Sequence, residues 1–234
     1  MKRIGLLGGM SWESTALYYA LINEGVRERL GGLHSAECLM VSVDFAEVER
    51  MQSAGDWAAA GAMLGREASR LESAGADVLV LCTNTMHKVA DAIEAAVGIP
   101  LLHLGDVTAD AVLAAGIRRV GLLGTRFTME EDFYVDRLRS RGLEVVVPDA
   151  AGRSEANRII YDELVLGVVT EPSREAYRSI IRGLVADGVE GIILGCTEIE
   201  LLVGAEDSPV PVFPTTRLHA HAAVEAALAA EPGA

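Results

Sequence analysis

The stretch SAGADVLVLCTNTMH, residues 73–87, runs from a glycine through an apolar segment into a thiol, two hydroxyls, an amide and an imidazole. That is the order of a buried strand opening into a site at its carboxyl end. Neighbouring residues on a strand point to opposite faces, so Cys82 and Thr83 cannot both face that site. The chain carries a second version of the stretch, ADGVEGIILGCTE, residues 186–198. Gly75 and Gly188 each follow a helical segment and precede a strand, which suits the position just past a helix end. Laid on one another, they pair Asp77 with Glu190, Leu81 with Leu194, Cys82 with Gly195 and Thr83 with Cys196. Thr83 and Cys196 are therefore the equivalent strand-end residues. Cys82 is expected to point into the core as a small buried hydrophobe, and Cys38, inside another apolar run, reads the same way.

The repetition extends outward. RIGLLGG at 3–9 matches RVGLLGT at 119–125, and IPLLHL at 99–104 matches VPVFPT at 210–215. Strand candidates fall at 3–8, 37–45, 77–82, 100–104, 119–124, 143–148, 191–196 and 210–215, separated by Ala-rich helical stretches. Continuous Val/Ile/Leu runs flanked by helices indicate parallel strands covered on both faces, an α/β pattern. The expectation is two similar α/β lobes related by a pseudo-twofold axis, residues 1–98 with 209–234 and residues 99–208. Ligand would lie in a cleft where the carboxyl ends of both sheets meet, with Thr83 and Cys196 presented to it.

Composition narrows the partners. A net charge of −14 and the lack of a basic run disfavour nucleic acid. No apolar run approaches the roughly 20 residues that span a bilayer, and the start MKRIGLLGGMSWEST, broken by glycines and Glu13, is unlike a signal-peptide core. Three cysteines with no C-x-x-C pair fit a reducing compartment, so a cytoplasmic protein is expected. No metal site is expected, since His219 and His221 are about 200° apart on a helix and lack partners at ligand spacing. GLLGGM is neither a dinucleotide fingerprint nor a phosphate loop, and G-x-S-x-G is absent.

The polar strand ends hold the candidate chemistry. Cys196, in LGCTEIE, sits between a strand and the first turn of a helix, where unpaired N–H groups favour a thiolate. Asn84 and Thr85 continue from Thr83 into a loop able to hold an anion, or Thr83 or Asn84 caps the helix MHKVADAIEAAV. His87 reads as a helix residue near the site. Gly8 and Gly9 permit close backbone approach at the first strand end, and Thr125 stands at the place equivalent to Gly9.

GLLGGM near the start, TNTMH at 83–87 and GCTE at 195–198 together resemble the aspartate/glutamate racemase family, over nearly the whole chain. Members of dual specificity carry a cysteine at both strand ends. Thr83 in place of the first cysteine makes the chain similar to the branch specific for L-aspartate and L-glutamate. The resemblance implies two lobes with four-stranded parallel sheets, the C-terminal segment returning to the first lobe, no pyridoxal phosphate or other cofactor, a small amino-acid substrate and a homodimer. It implies Cys196 and Thr83 as catalytic residues, Cys196 removing the α-proton of the L form and the reverse reaction being slow. Substrate contacts carry over to Met10, Gln52, Asn84, Thr85, Thr125 and Thr197, with Arg50 for the side-chain carboxylate. Val165 replaces a lysine found in IYxxxK of some aspartate racemases, which leaves a broad-specificity amino-acid racemase open. A decarboxylase or isomerase relative using one cysteine, and a ligand-binding relative without activity, also stay open.

Overall fold

Short apolar runs that alternate with helices pair as parallel strands, because each crossover returns the chain to the same end of its sheet, so that the next strand runs in the same direction. The computed structural model describes residues 1–229, which divide into two units. The first unit contains residues 1–103 and 219–229; the second contains Leu104–Leu218. The first sheet is built from β1 (Ile4–Gly8), β2 (Cys38–Ser42), β3 (Val78–Leu81) and β4 (Leu101–Leu102) in the order β2-β1-β3-β4, all parallel. The second repeats it with β5 (Arg119–Gly124), β6 (Glu144–Val146), β7 (Gly191–Gly195) and β8 (Val212–Pro214) in the order β6-β5-β7-β8.

Helices α1 (Trp12–Leu30), α2 (Phe45–Ala54), α3 (Trp57–Ser73) and α4 (Ala90–Glu94) belong to the first unit. The second contains α5 (Leu104–Ala114), α6 (Arg126–Glu130), α7 (Asp132–Ser140), α8 (Ala150–Asp162), α9 (Glu171–Ala186) and α10 (Ile199–Leu202). The last helix, α11 (Thr215–Leu228), begins in the second unit and continues into the first.

The central strands β1, β3 and β7 are buried throughout and β5 is buried from Val120 onward, as parallel strands covered on both faces must be. In β3, Leu79 and Leu81 join the apolar layer that includes Leu64 and Leu71 of α3, while Val78 and Val80 join the layer of Tyr18, Ile22 and Val26 of α1. In β7 the same alternation puts Ile192 and Leu194 in one layer and Ile193 in the other. The register agrees between sheets: Leu7 pairs with Leu81, and its counterpart Leu123 pairs with Leu194. Gly75 and Gly188 hold positive φ, 96° and 85°, just past α3 and α9. Each closes its helix with paired reverse hydrogen bonds, Gly75 to Glu72 and Ala76 to Leu71, and Gly188 to Val185 and Val189 to Leu184. The repeat alignment drawn from those glycines is thus the structural one.

The boundaries fall later than 98/99 and 208/209. β4 pairs with β3 and β8 with β7, so each fourth strand stays with its own repeat. The helix after it changes unit: Leu104, Ala109 and Val112 of α5 pack in the second unit, and Ala220, Ala223 and Val224 of α11 pack in the first.

His219 anchors the returning part of α11. Its Nε2–H donates to the Leu102 carbonyl at 2.7 Å, which leaves Nδ1 to accept from the Tyr18 hydroxyl at 2.9 Å. The ring is fully buried, and burial pushes its pKa down to about 4. The unfolded chain therefore takes up a proton near pH ~6.5 that the folded chain refuses, so this stability is present above that pH and is lost as pH falls toward 4. Urea denaturation should show a loss of about 2 kcal/mol from this group between pH 7 and pH 5, and His219→Gln should flatten that part of the profile. An unchanged slope in the variant would remove His219 as its cause.

Candidate active site

Each central strand ends in polar residues because its apolar residues fill the two covering layers and stop there. In the first unit Cys82 is 0% exposed and lies in the layer of Tyr18 and Val80, with its N–H on the Leu7 carbonyl at 2.9 Å. Burial, followed by the neighbouring Cys38, raises its pKa far above the ordinary thiol value. It is core, as the repeat register requires, whereas Cys38 is half-buried with a pKa raised by burial to about 11.

The Thr83 N–H bonds back to the Leu81 carbonyl at 2.8 Å, a tight turn that ends the strand. Thr83, Asn84 and Thr85 are all buried. The continuous helix expected after them is instead a 3₁₀ turn, Thr85–Val89, followed by the short α4. Asn84 precedes the turn with αR backbone angles already set, and its side chain does not cap it. The Thr83 carbonyl is held differently: His87 Nδ1 donates to it at 2.8 Å.

Gly8 and Gly9 behave as expected. A Cβ on Gly8 would lie 2.3 Å from the Thr15 side chain, and one on Gly9, where φ is +92°, would lie 2.2 Å from the Val43 carbonyl. The chain can therefore pass close beneath Met10, which is buried in the layer of Leu7 and Met51. Gln52, also buried, places Nε2 2.9 Å from Met86 Sδ. Arg50 stands exposed on α2 and makes no ion pair with any described residue.

In the second unit Cys196 continues the alternation of Ile192 and Leu194 into one layer with Tyr177 and Ile199. It is 7% exposed, as is Thr83. Its Sγ donates to Glu198 Oε2 at 3.0 Å. The expected thiolate is overturned here. Burial raises the thiol pKa well above the usual value and the Glu198 carboxylate raises it further; the N–H groups of Glu198 and Ile199 oppose this but lose. A four-residue helix supplies too little dipole to offset burial and an adjacent anion. Thr197 is buried beside it. Thr125 accepts from the Thr128 N–H at 3.3 Å and caps α6, so its hydroxyl is partly committed to structure. Val165 is half-buried against the layer that contains Cys196. Among the described residues no group of three or more His, Cys, Asp or Glu side chains is arranged to hold a metal, and no helix is long and apolar enough to cross a membrane.

Sequence reasoning missed Glu198 and His87 as partners of the strand-end residues. The spacing signals were Cys-x-Glu and the four-residue interval from Thr83 to His87. Neither is interpretable until the turns that follow the strands are known.

Fold and strand-end chemistry together define a two-unit α/β protein of the racemase class. More particularly, residues 7–223 match the Asp/Glu/hydantoin racemase family, and the chain belongs to it. A Yersinia pestis protein, crystallised as a candidate Asp/Glu racemase, is 57% identical with a TM-score of 0.93, over 98% of this chain and 100% of that one. An aspartate racemase homologue from Pyrococcus horikoshii is 37% identical with a TM-score of 0.86, over 97% and 99% of the two chains. A broad specificity amino-acid racemase of Bacillus subtilis is 24% identical over 166 residues, 69% of this chain and 70% of that protein. Family and fold support amino-acid racemisation.

The Cys196–Glu198 contact makes a signed prediction. Glu198→Gln removes the anion that disfavours the thiolate, so the thiol pKa should fall and its reactivity rise. In a Cys38→Ser background, iodoacetamide labelling of Cys196 at pH 7.5 should quicken by about tenfold, the equivalent of one pKa unit. Unchanged or slower labelling, followed by peptide mass spectrometry, would show that Glu198 does not control the thiol.

Proposed function

We propose that the protein racemises an acidic amino acid, L-glutamate or L-aspartate, without a cofactor. Cys196 takes the α-proton of the L form and Thr83 serves the opposite face. The observation that supports this most is the strand register, which makes Thr83 and Cys196 equivalent buried residues at the ends of β3 and β7.

The first proton moves before the substrate reacts. The Cys196 thiol loses its proton to solvent, leaving a thiolate beside the N–H groups of Glu198 and Ile199, which favour it. The thiolate then breaks the Cα–H bond and becomes a thiol again. Thr83 delivers its hydroxyl proton to the other face of the carbanion and is reprotonated by solvent. Asn84, Thr85 and Thr197 are the donors for charge that builds on the α-carboxylate, where fixed donors are most effective. Arg50, with no described acid to neutralise it, is the candidate for the side-chain carboxylate.

Thr83 is a far weaker base than a thiolate. Deprotonation of the L form should therefore outrun inversion, and solvent deuterium should enter L-glutamate or L-aspartate faster than the D form appears. A slow reverse reaction, as the resemblance implies, cannot mean slow inversion of the D form alone. Enantiomers have equal free energy in water, so kcat/KM for inversion must be the same in both directions whatever the two residues are.

A second reading, a broad-specificity racemase of the same fold, is favoured by the apolar Val165 beside the Cys196 layer and by the name of the Bacillus subtilis relative. Incubating a panel of L- and D-amino acids in deuterated water separates the readings, since only the second has apolar L-amino acids exchanging as fast as L-glutamate. No exchange from any amino acid would reject both.

Cys196→Ser should lower α-proton exchange by about 10²–10⁴-fold while leaving the fold intact. Thr83→Cys should install a second competent base, so that the D form also exchanges without inversion, and inversion should rise equally in both directions. A folded Cys196→Ser protein exchanging at the parent rate would reject the assignment, as would a Thr83→Cys protein that still leaves D-glutamate and D-aspartate unexchanged.

A further inference from the structure

Beneath Thr83 the first unit contains three buried imidazoles. His87, His103 and His219 come from the turn after β3, the end of β4 and the returning part of α11. The His87 ring meets His103 edge-on with centroids 4.7 Å apart and His219 with centroids 5.9 Å apart. A carbonyl can only accept, so the 2.8 Å contact with the Thr83 carbonyl places a proton on His87 Nδ1. The same logic fixes His219, whose Nε2–H is on Leu102 and whose Nδ1 accepts from Tyr18. Burial and the two neighbouring rings keep His87 uncharged, its pKa well below the usual imidazole value.

Among the bonds that close the Thr83–His87 turn are Thr83 N–H to Leu81, His87 N–H to Asn84 at 3.1 Å, and the His87 ring to Thr83. The first two are backbone bonds that many sequences would make. The third depends on a particular side chain, and it grips the peptide that carries the Thr83 side chain.

We propose that His87 is the positioning residue for Thr83: its ring N–H holds the Thr83 carbonyl, and the packed His103 and His219 rings hold the ring of His87. This rests on the reading of Thr83 as the far-face proton donor. His87 touches no reacting atom in it. Its contribution is to keep the hydroxyl in one direction through a residue that stays neutral and keeps the required tautomer.

The role separates from bulk packing by its donor. Asn places an amide N–H near the position of Nδ1, whereas Leu fills the space with no donor and Gln carries the amide one methylene too far. In deuterated water with L-glutamate and L-aspartate, His87→Leu and His87→Gln should lower the ratio of inversion to L-form exchange by about tenfold or more, the scale of a misplaced catalytic group. His87→Asn should stay within about twofold of the parent, and KM should change less than kcat in all three. A second arm needs no racemase activity. In a Thr83→Cys, Cys38→Ser background, the rate at which iodoacetamide labels the thiol introduced at position 83 should change with Leu or Gln at position 87 and be restored by Asn. If the parent exchanges no α-proton, the racemase reading fails and the labelling arm alone decides on His87. Equal ratios and equal labelling across folded Leu, Gln and Asn variants would overturn the proposal, and so would Asn failing to rescue while Leu is tolerated. If Leu does not fold, the comparison of Gln with Asn carries the test.

Discussion

Burying both faces of a parallel sheet leaves its central strands no solvated side, and that constraint organises the rest of each unit. β1, β3, β5 and β7 are apolar along almost their whole length, and polar chemistry begins where pairing and burial stop, at their carboxyl ends. The alternation within the strand then decides which side chain goes where. Leu79 and Leu81 face one layer and Val80 and Cys82 the other, so the pleat turns the Cys82 thiol into the layer of Tyr18. Where the first unit has Cys82, the second has Gly195, whose Cβ would sit 2.9 Å from the Leu123 carbonyl. That face of the second strand end has no room for a side chain.

Cys196 shows how local electrostatics compete at such an end. The N–H groups of Glu198 and Ile199 lower the thiol pKa, but burial and the Glu198 carboxylate raise it more. The net direction follows from scale: desolvation of a buried ion costs several kcal/mol, while the end of a one-turn helix offers about 1 kcal/mol or less. The resting group is therefore a thiol hydrogen-bonded to a carboxylate.

The strands and their register were legible because both rest on short-range rules: apolar runs, glycine at helix ends, and a period of two. The unit boundaries were not. Nothing in the apolar pattern of α5 or α11 states that the helix after each fourth strand packs in the unit that the strand does not belong to. Partners inside irregular turns were equally hidden. Glu198 reaches Cys196 because the strand passes directly into helical geometry there, and His87 reaches Thr83 because the segment after it tightens into a 3₁₀ turn. The residues that carry the resemblance to the racemases were readable as letters, but the contacts that set their protonation and direction were not.

In the proposed reaction a hydroxyl and a thiol would make an asymmetric pair, yet racemisation has no thermodynamic direction. The equal free energies of the two enantiomers force the two values of kcat/KM for inversion to coincide, so preference for the L form cannot mean faster net conversion at low substrate. It can appear only in two places: in saturating rates matched by KM, and in exchange events that return the proton to the face it left. The weak base raises the common barrier to inversion from both sides, whereas the strong base lowers only the barrier to removing a proton from one enantiomer. The chemical difference between Thr83 and Cys196 is then stored as a gap between exchange and inversion, and the size of that gap measures how far a hydroxyl held in place falls short of a second thiol.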